Sequence, residues 1–274
     1  MRVFPPAGGP EFRNFLLGHQ LPSAGAPNRK LYNRINNVTA MTIAAWNIQQ
    51  GGGPRLAEIV NRLRECNPDV VVLSEHGGTN SRRVCDALTD GGWQHQASSD
   101  SPAWAGGVLI ASRVPFQVKN VPLSPGIDRQ RVVAVEFASF TLVGLYFPLG
   151  PEELKNSFWE GVLAYAHELN SRPCLLIGDF NTTKHFVDEK ESAVPGSQHV
   201  EALENLGWTE CWRKHNPGVT EYTWFHKVSG NGFRIDHAYA SASLLPAVRK
   251  SWYSHKEREQ RVSDHSMLLL ELEV

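Results

Sequence analysis

Two stretches, PDVVVLSE at residues 68–75 and PCLLIGD at residues 173–179, restrict this chain's fold more than any other feature. Each is an unbroken apolar run that stops on an acid. Successive side chains of a strand point to opposite sheet faces, so a run apolar at every position reads as a strand buried on both faces. Other short apolar runs surround these two: MTIAAW, WQHQA, GGVLIAS, FQVKNV, RVVAVEF, FTLVGLYFP and the closing SMLLLELEV. Helical spacing appears in RLAEIVNRLREC, through Leu56, Ile59, Val60 and Leu63, and again in HVEALENLGW. It also appears in PEELKNSFWEGVLAYAHELN, where Pro151 and the acids after it mark a helix start. The order is neither simple βαβ winding nor an all-β barrel. A mixed, layered α/β domain is the expected class.

That domain is expected to occupy residues 41–274 without an internal linker. Residues 1–40 are rich in Pro, Gly and Asn and carry Arg2, Arg13, Arg29, Lys30 and Arg34 against a single acid, Glu11. They read as a flexible basic extension. The formal net charge of −1 therefore hides a slightly acidic body, which is not the profile of a strong nonspecific DNA binder. A local basic groove or a metal-binding carboxylate cluster is compatible with it. No apolar run approaches the roughly 20 residues needed to cross a bilayer. Cys66, Cys85, Cys174 and Cys211 show no metal-ligand spacing and read as reduced thiols, which favours a cytoplasmic location. Nothing demands a second subunit, so a monomer is expected.

What stands at the strand ends is more informative. AAW ends in Asn47, VVVLS in Glu75, VGL in Tyr146, CLLIG in Asp179 with Asn181 two residues on, and FRI in Asp236; Asp264 and His265 precede the last strand. Each has an ordinary structural use: Asp-x-Asn forms Asx turns, a terminal Glu is often just exposed, and Asp-His can cap a helix. Together they are harder to dismiss, because ligand and catalytic groups of α/β folds gather where strands end. Asn47, Glu75 and an Asp are hard oxygen donors that suit Mg²⁺ or Mn²⁺ better than Zn²⁺. An imidazole fixed by an Asp can donate to a phosphoryl oxygen or take a proton. A further Asp can orient and deprotonate a water. Metal, base and phosphate clamp together describe hydrolysis of a phosphoester.

WN (46–47), SE (74–75), YFPLG (146–150), GDFN (178–181), YTWF (222–225), FRID (233–236) and SDHS (263–266) resemble, in order and spacing, the motifs of the endonuclease/exonuclease/phosphatase superfamily. YFPLG and the TWF…RID combination, with GGVLIAS, are most similar to the exonuclease III type of abasic-site DNA endonuclease. The resemblance implies a four-layer sandwich, two mixed sheets flanked by helices. It also implies a Mg²⁺-dependent (or Mn²⁺-dependent) DNA-repair nuclease cutting 5′ to abasic sites in duplex DNA, with possible 3′→5′ exonuclease or 3′-phosphatase activity.

Residue by residue, it implies Glu75 as principal metal ligand with Asn47 beside it and Asp264 assisting. Asp179 would position and activate the water, Asn181 would orient the phosphate or that carboxylate, His265, fixed by Asp236, would hydrogen-bond the scissile phosphate, and Tyr146 would contact the phosphate or the leaving oxygen. Trp224, Phe233 and Ile235 would form an apolar pocket for a sugar lacking its base. The sequence departs from that group at NIQQGGG and at HGGTNSRR, where Arg82 and Arg83 stand in for a basic residue expected nearer Glu75. The segments after GDFN and between TWF and RID are also shorter. An RNA, a nucleotide or another small phosphoester is the alternative substrate.

Overall fold

A computed structural model of the chain describes residues 40–102, 105–122, 127–191 and 194–273. The flexible basic extension expected at the N-terminus lies outside the described residues, apart from Ala40, which opens the first strand. Two six-stranded sheets carry the fold. The first consists of β1 (Ala40–Asn47), β2 (Val70–Gly77), β3 (His95–Ser98), β4 (Gly106–Ser112), β13 (Val248–Ser254) and β14 (Met267–Glu273), in the order β13-β14-β1-β2-β4-β3. The second, in the order β5-β6-β7-β8-β12-β9, consists of β5 (Gln117–Lys119), β6 (Val132–Glu136), β7 (Thr141–Tyr146), β8 (Cys174–Asp179), β9 (Thr209–Glu210) and β12 (Asp236–Ala240). β1 and β2 are parallel, as are β7 and β8, and the remaining pairings are antiparallel.

Alternation along the apolar runs builds the layers. Val70 and Val72 of β2 face the second sheet, meeting Leu142, Leu175 and Ile177 in one core. Val71 and Leu73 face the other way, onto α1 (Leu56–Cys66) and α2 (Ser81–Asp90), through Ile59, Leu63 and Leu88. The second sheet does the same with Val143, Leu145 and Leu176. These pack on Phe158, Trp159 and Tyr165 of α3 (Glu152–Leu169) and on Val200 and Leu203 of α4 (Ser197–Asn205). The result is helices, sheet, sheet, helices, the four-layer architecture expected.

The elements that hydrophobic spacing does not announce are short or mostly wet. α2 buries only Val84 and Leu88 of its ten residues. α5 (Cys211–His215), the ribbon β10 (Trp224–Phe225) with β11 (Gly232–Phe233), and α6 (Lys256–Glu259) are too brief for a period to show. β13 borders the first sheet with Arg249 and Lys250 exposed.

Candidate active site

Parallel pairing of β1 with β2 sets Asn47 opposite Ser74, and antiparallel pairing of β8 with β12 sets Asp179 opposite Asp236. β7, beside β8, ends with Tyr146 opposite Asp179. One amide joins the two sheets: Asn47 Nδ2 donates to Glu75 Oε1 at 3.0 Å and to Asp179 Oδ2 at 2.9 Å. The Asn47 carbonyl oxygen Oδ1 accepts from the Gln49 N–H at 2.9 Å. Asn47 is thus a brace between two acids, with neither end free in this arrangement.

Glu75 sits at a bulge between Ser74 and His76, with φ of 58°. A glutamate in the left-handed region is uncommon and marks local strain held by its surroundings. Gly106 on the neighbouring strand makes it possible, because a Cβ there would stand 3.0 Å from the Glu75 Cα. The first Gly of GGVLIAS is therefore clearance for the bulge, while the second, Gly107, makes room for Ser99 and Ser101. Glu75 Oε2 accepts from the Gln50 N–H at 2.7 Å, and the Gly51 N–H donates to the Glu75 carbonyl at 2.8 Å. Gln49 and Gln50 are themselves left-handed, at φ of 53° and 54°, so the NIQQGGG loop curls its N–H groups toward the acid. The half-buried carboxylate lines a cleft of about 470 Å³ together with Gln50, Gly78, Asn80, Gly106 and Tyr146. Tyr146 Oη lies 3.5 Å from Glu75 Oε1, and burial followed by the nearby Glu75 and Asp179 charges pushes its hydroxyl pKa up. The Arg131 guanidinium lies 5.0 Å over its ring.

Asp179 is buried. Its Oδ1 accepts from the Asn181 N–H at 2.9 Å, while Asn181 Nδ2 donates to the Phe147 carbonyl at 2.8 Å. Burial raises its pKa above the carboxylate range, His265 pulls it down, and Asp236 adds to the rise. A carboxylate raised in this way is a better base than a solvated one. His265 Nδ1 meets Asp236 Oδ2 at 3.0 Å and Oδ1 at 3.2 Å. Burial disfavours the imidazolium, but Asp236, then Asp179 and Asp264, outweigh it and lift the ring to about 10. Ser263 Oγ donates to the Asn47 carbonyl at 2.6 Å, and Trp46 Nε1 donates to the His265 carbonyl at 3.1 Å. The SDH loop is thereby tied to the end of β1.

The Asp264 carboxylate is turned to Trp224 Nε1, at 3.4 Å, and to Lys227 Nζ, at 3.8 Å. Trp224 and Phe233 face each other across the ribbon with rings 5.8 Å apart, and the Trp224 ring lies 6.5 Å from that of His265. Ile235 is buried behind them, its carbonyl accepting from the Phe180 N–H at 2.8 Å. Arg82 and Arg83 are exposed in the first turn of α2, just past the cleft-lining Gly78–Asn80 turn; Arg82 Nε stands 3.9 Å from Asp86.

Two supports have no signature in the chain. Lys155 on α3 is buried and donates to the Asn181 carbonyl at 2.8 Å, with burial lowering its pKa. Arg55 bonds the Val262 carbonyl at 2.5 Å and the Gln49 carbonyl at 2.6 Å, clasping the loops that follow β1 and precede β14. Arg55 and Lys155 both look like helix-surface cations in one dimension, and only long-range folding turns them inward.

Asp179, Asp236 and His265 present ligand atoms within 4.8 Å of one another, a candidate metal-binding cluster. Asn47 links Glu75 to this group. Three carboxylates so placed face one imidazolium, and the oxygen-rich excess of negative charge fits a hard divalent cation.

A family model described as the Endonuclease/Exonuclease/phosphatase family matches residues 44–265. The chain belongs to that family. Solved structures superpose over most of the chain. A 3′ phosphatase, NExo from Neisseria bound to product DNA hairpin, gives a TM-score of 0.74 at 25% identity, covering 85% of this chain and 99% of that one. The 3′-5′ exonuclease NExo from Neisseria meningitidis gives 0.75 at 25% identity, covering 85% and 100%. An AP endonuclease from Archaeoglobus fulgidus shares the fold, with a TM-score of 0.75 at 21% identity, covering 85% and 100%. As a member of this family the protein is a phosphoester hydrolase, and its donor set suits a divalent metal. Among the described residues no helix is long and apolar enough to cross a membrane.

Proposed function

We propose that the protein is a Mg²⁺-dependent DNA-repair nuclease that hydrolyses the phosphodiester 5′ to abasic sites, with 3′-end trimming or 3′-phosphatase activity at the same centre. The observation that carries this reading is the single chain of contacts Glu75–Asn47–Asp179, with the Asp236–His265 pair beside it. It puts metal-ligand, base and phosphate-clamp chemistry within one hydrogen-bonded unit. Glu75 would hold the ion, assisted by Asp264, whose carboxylate would turn from Trp224 Nε1 and Lys227 to do so. When bound, the ion would neutralise the phosphoryl charge and hold the leaving oxygen.

The chain's own residues supply the rest. Asp179, locked by Asn47 and Asn181, takes a proton from a water aligned with the scissile phosphorus. His265, charged and fixed at Nδ1 by Asp236, has Nε2 left to donate to a phosphoryl oxygen. Tyr146 Oη, kept protonated by burial beside Glu75, would also donate to the phosphate. Trp224 and Phe233, with Ile235 two residues on, would offer an apolar wall beside His265 suited to a deoxyribose lacking its base. Arg82 and Arg83, exposed just past the cleft-lining turn, would offer positive charge to a DNA backbone. The similar structures named for 3′-phosphatase and 3′-5′ exonuclease activity support the 3′-end reactions.

The test is a 5′-labelled duplex carrying one tetrahydrofuran abasic analogue, beside an unmodified duplex, each with Mg²⁺ and with excess EDTA. A Mg²⁺-dependent cut 5′ to the analogue is expected. If neither duplex is cut while a 3′-phosphorylated strand, an RNA or a small phosphodiester is, the abasic-site assignment falls and the metal-site chemistry stands.

A further inference from the structure

Phe186 is 88% exposed on the turn that follows β8. Its backbone sits at φ of 60°. A lone exposed apolar side chain needs no explanation. A bulky aromatic held in the left-handed region is different, because such strain persists only where neighbours impose it.

The neighbours here are specific. The Glu189 carboxylate, only 5% exposed, pairs with His185 Nδ1 at 2.6 Å and accepts from Thr183 Oγ1 at 2.5 Å and from the Phe186 N–H at 3.4 Å. The Lys184 carbonyl closes the turn, accepting from the Val187 and Asp188 N–H groups at 3.1 and 3.0 Å. The His185 N–H donates to Ser197 Oγ at 2.7 Å, anchoring the turn to α4. The His185 ring lies 3.8 Å from that of Phe186. An apolar ring is thus presented to solvent by a turn built to keep it there.

Its position links it to the catalytic centre. Glu189 bridges to Phe233, and the Lys190 N–H donates to the Gly232 carbonyl at 3.0 Å. The segment therefore runs along β11 on the side opposite β10, and Phe233 lies between Glu189 and Trp224. Phe186 stands three residues before that bridge, on the segment that continues from it.

We propose that Phe186 is a stacking post for an unpaired nucleobase adjoining the scissile phosphate; this rests on the nuclease reading and deepens it. Aromatic rings stack on any base because every base has a π-face, so such a post positions a strand without reading its sequence. Holding the ring in advance reduces the ordering cost of binding.

Binding is measured by fluorescence anisotropy on a labelled duplex carrying a tetrahydrofuran site with a mismatched, unpaired nucleotide on its 5′ side, with Ca²⁺ in place of Mg²⁺ to prevent cleavage. Phe186→Ala and Phe186→Gly are each expected to raise Kd by about tenfold or more. Phe186→Trp is expected to stay within about threefold of the unaltered protein. Under Mg²⁺, KM follows Kd while kcat changes little. Phe186→Gly is expected to melt no lower than the unaltered protein, since glycine adopts this φ without strain. Binding by the Ala and Gly variants within twofold of the unaltered protein overturns the proposal, and so does a Trp variant as weak as the Ala variant. A marked fall in melting temperature for Phe186→Gly also overturns it, because the ring would then be packing the turn. An unaltered protein that neither binds nor cuts any duplex would instead remove the nuclease reading, and this inference with it.

Discussion

Asp236→Asn isolates what the carboxylate does for His265. The substitution keeps the size of the side chain and a hydrogen-bond acceptor 3.0–3.2 Å from Nδ1, and removes only the charge. In the intact protein the ring is raised from 6.5 to about 10 against the effect of burial, so it is an imidazolium throughout the neutral range. Without its anion, burial is opposed only by Asp179 and Asp264, and the ring's pKa falls toward the neutral range. Nδ1 then keeps the proton for the oxygen of the substituted amide, and Nε2 presents a lone pair to the phosphoryl oxygen. Losing one such donor costs about 2.7–4 kcal/mol of transition-state stabilisation, or about 10²–10³ in kcat.

The assay is the pH profile of kcat/KM on a phosphodiester substrate. Unaltered protein should hold its rate until the pH approaches about 10, whereas the variant's alkaline limb should move down toward or below 7. Stability follows the same sign. A histidine with a raised folded pKa contributes fully below 6.5, and loses that contribution as pH rises through about 10. The variant's deficit in a urea titration should therefore be larger at pH 6 than at pH 10. An alkaline limb that stays put, with activity within threefold of the intact protein, refutes the reasoning.

Glu75→Ala should weaken Mn²⁺ binding, read by electron paramagnetic resonance, by more than the roughly 10–100-fold typical of groups that merely orient a ligand; unchanged binding with lost activity would remove Glu75 from the ligand set. Arg234 is buried between Asp188, at 2.7 Å, and Glu210, at 3.0 Å. Arg234→Met removes the guanidinium between two buried anions, leaving Asp188 to Arg213 and Glu210 to His237 and the Arg213 N–H, and should cost about 3–5 kcal/mol in urea unfolding at neutral pH. Burial tends to raise the Glu210 pKa, but Arg234 and His237 hold it down to about 2, a contribution present above about 4.5 and lost as pH falls through about 2. The Met variant's deficit should therefore shrink at pH 4, and an equal deficit at pH 4 and pH 8 would contradict this. Gly144→Ala would place a Cβ 2.9 Å from Val108 Cγ1 and 3.0 Å from Val72 Cγ1, where the two sheets approach. A loss of about 1–3 kcal/mol is expected, and an unshifted urea midpoint would show that the sheets yield more easily than packed cores do.

Legibility in the sequence followed length scale. The two-face burial of VVVLS and CLLIG, the amphipathic helix after Pro151 and the polar residue closing each strand are local patterns, written along the chain at the periods of strand and helix. They were sufficient for a mixed, layered α/β domain and to pick out Asn47, Glu75, Asp179, Asp236 and His265 as a set, while the four-layer sandwich followed from the family resemblance. Folding decided how these residues share one network. Asn47 and Asp179 lie 132 residues apart, and they meet only because the first and second sheets pack face to face. The left-handed Glu75 depends on an absent side chain at Gly106, in another strand. Lys155 and Arg55 carry no local mark of their inward turn, and Glu189 none of its grip on the Phe186 turn. A sequence pattern records which face a residue takes within its own element. Which partner it meets there is set by sheet register and layer packing, which are sums over distant contacts.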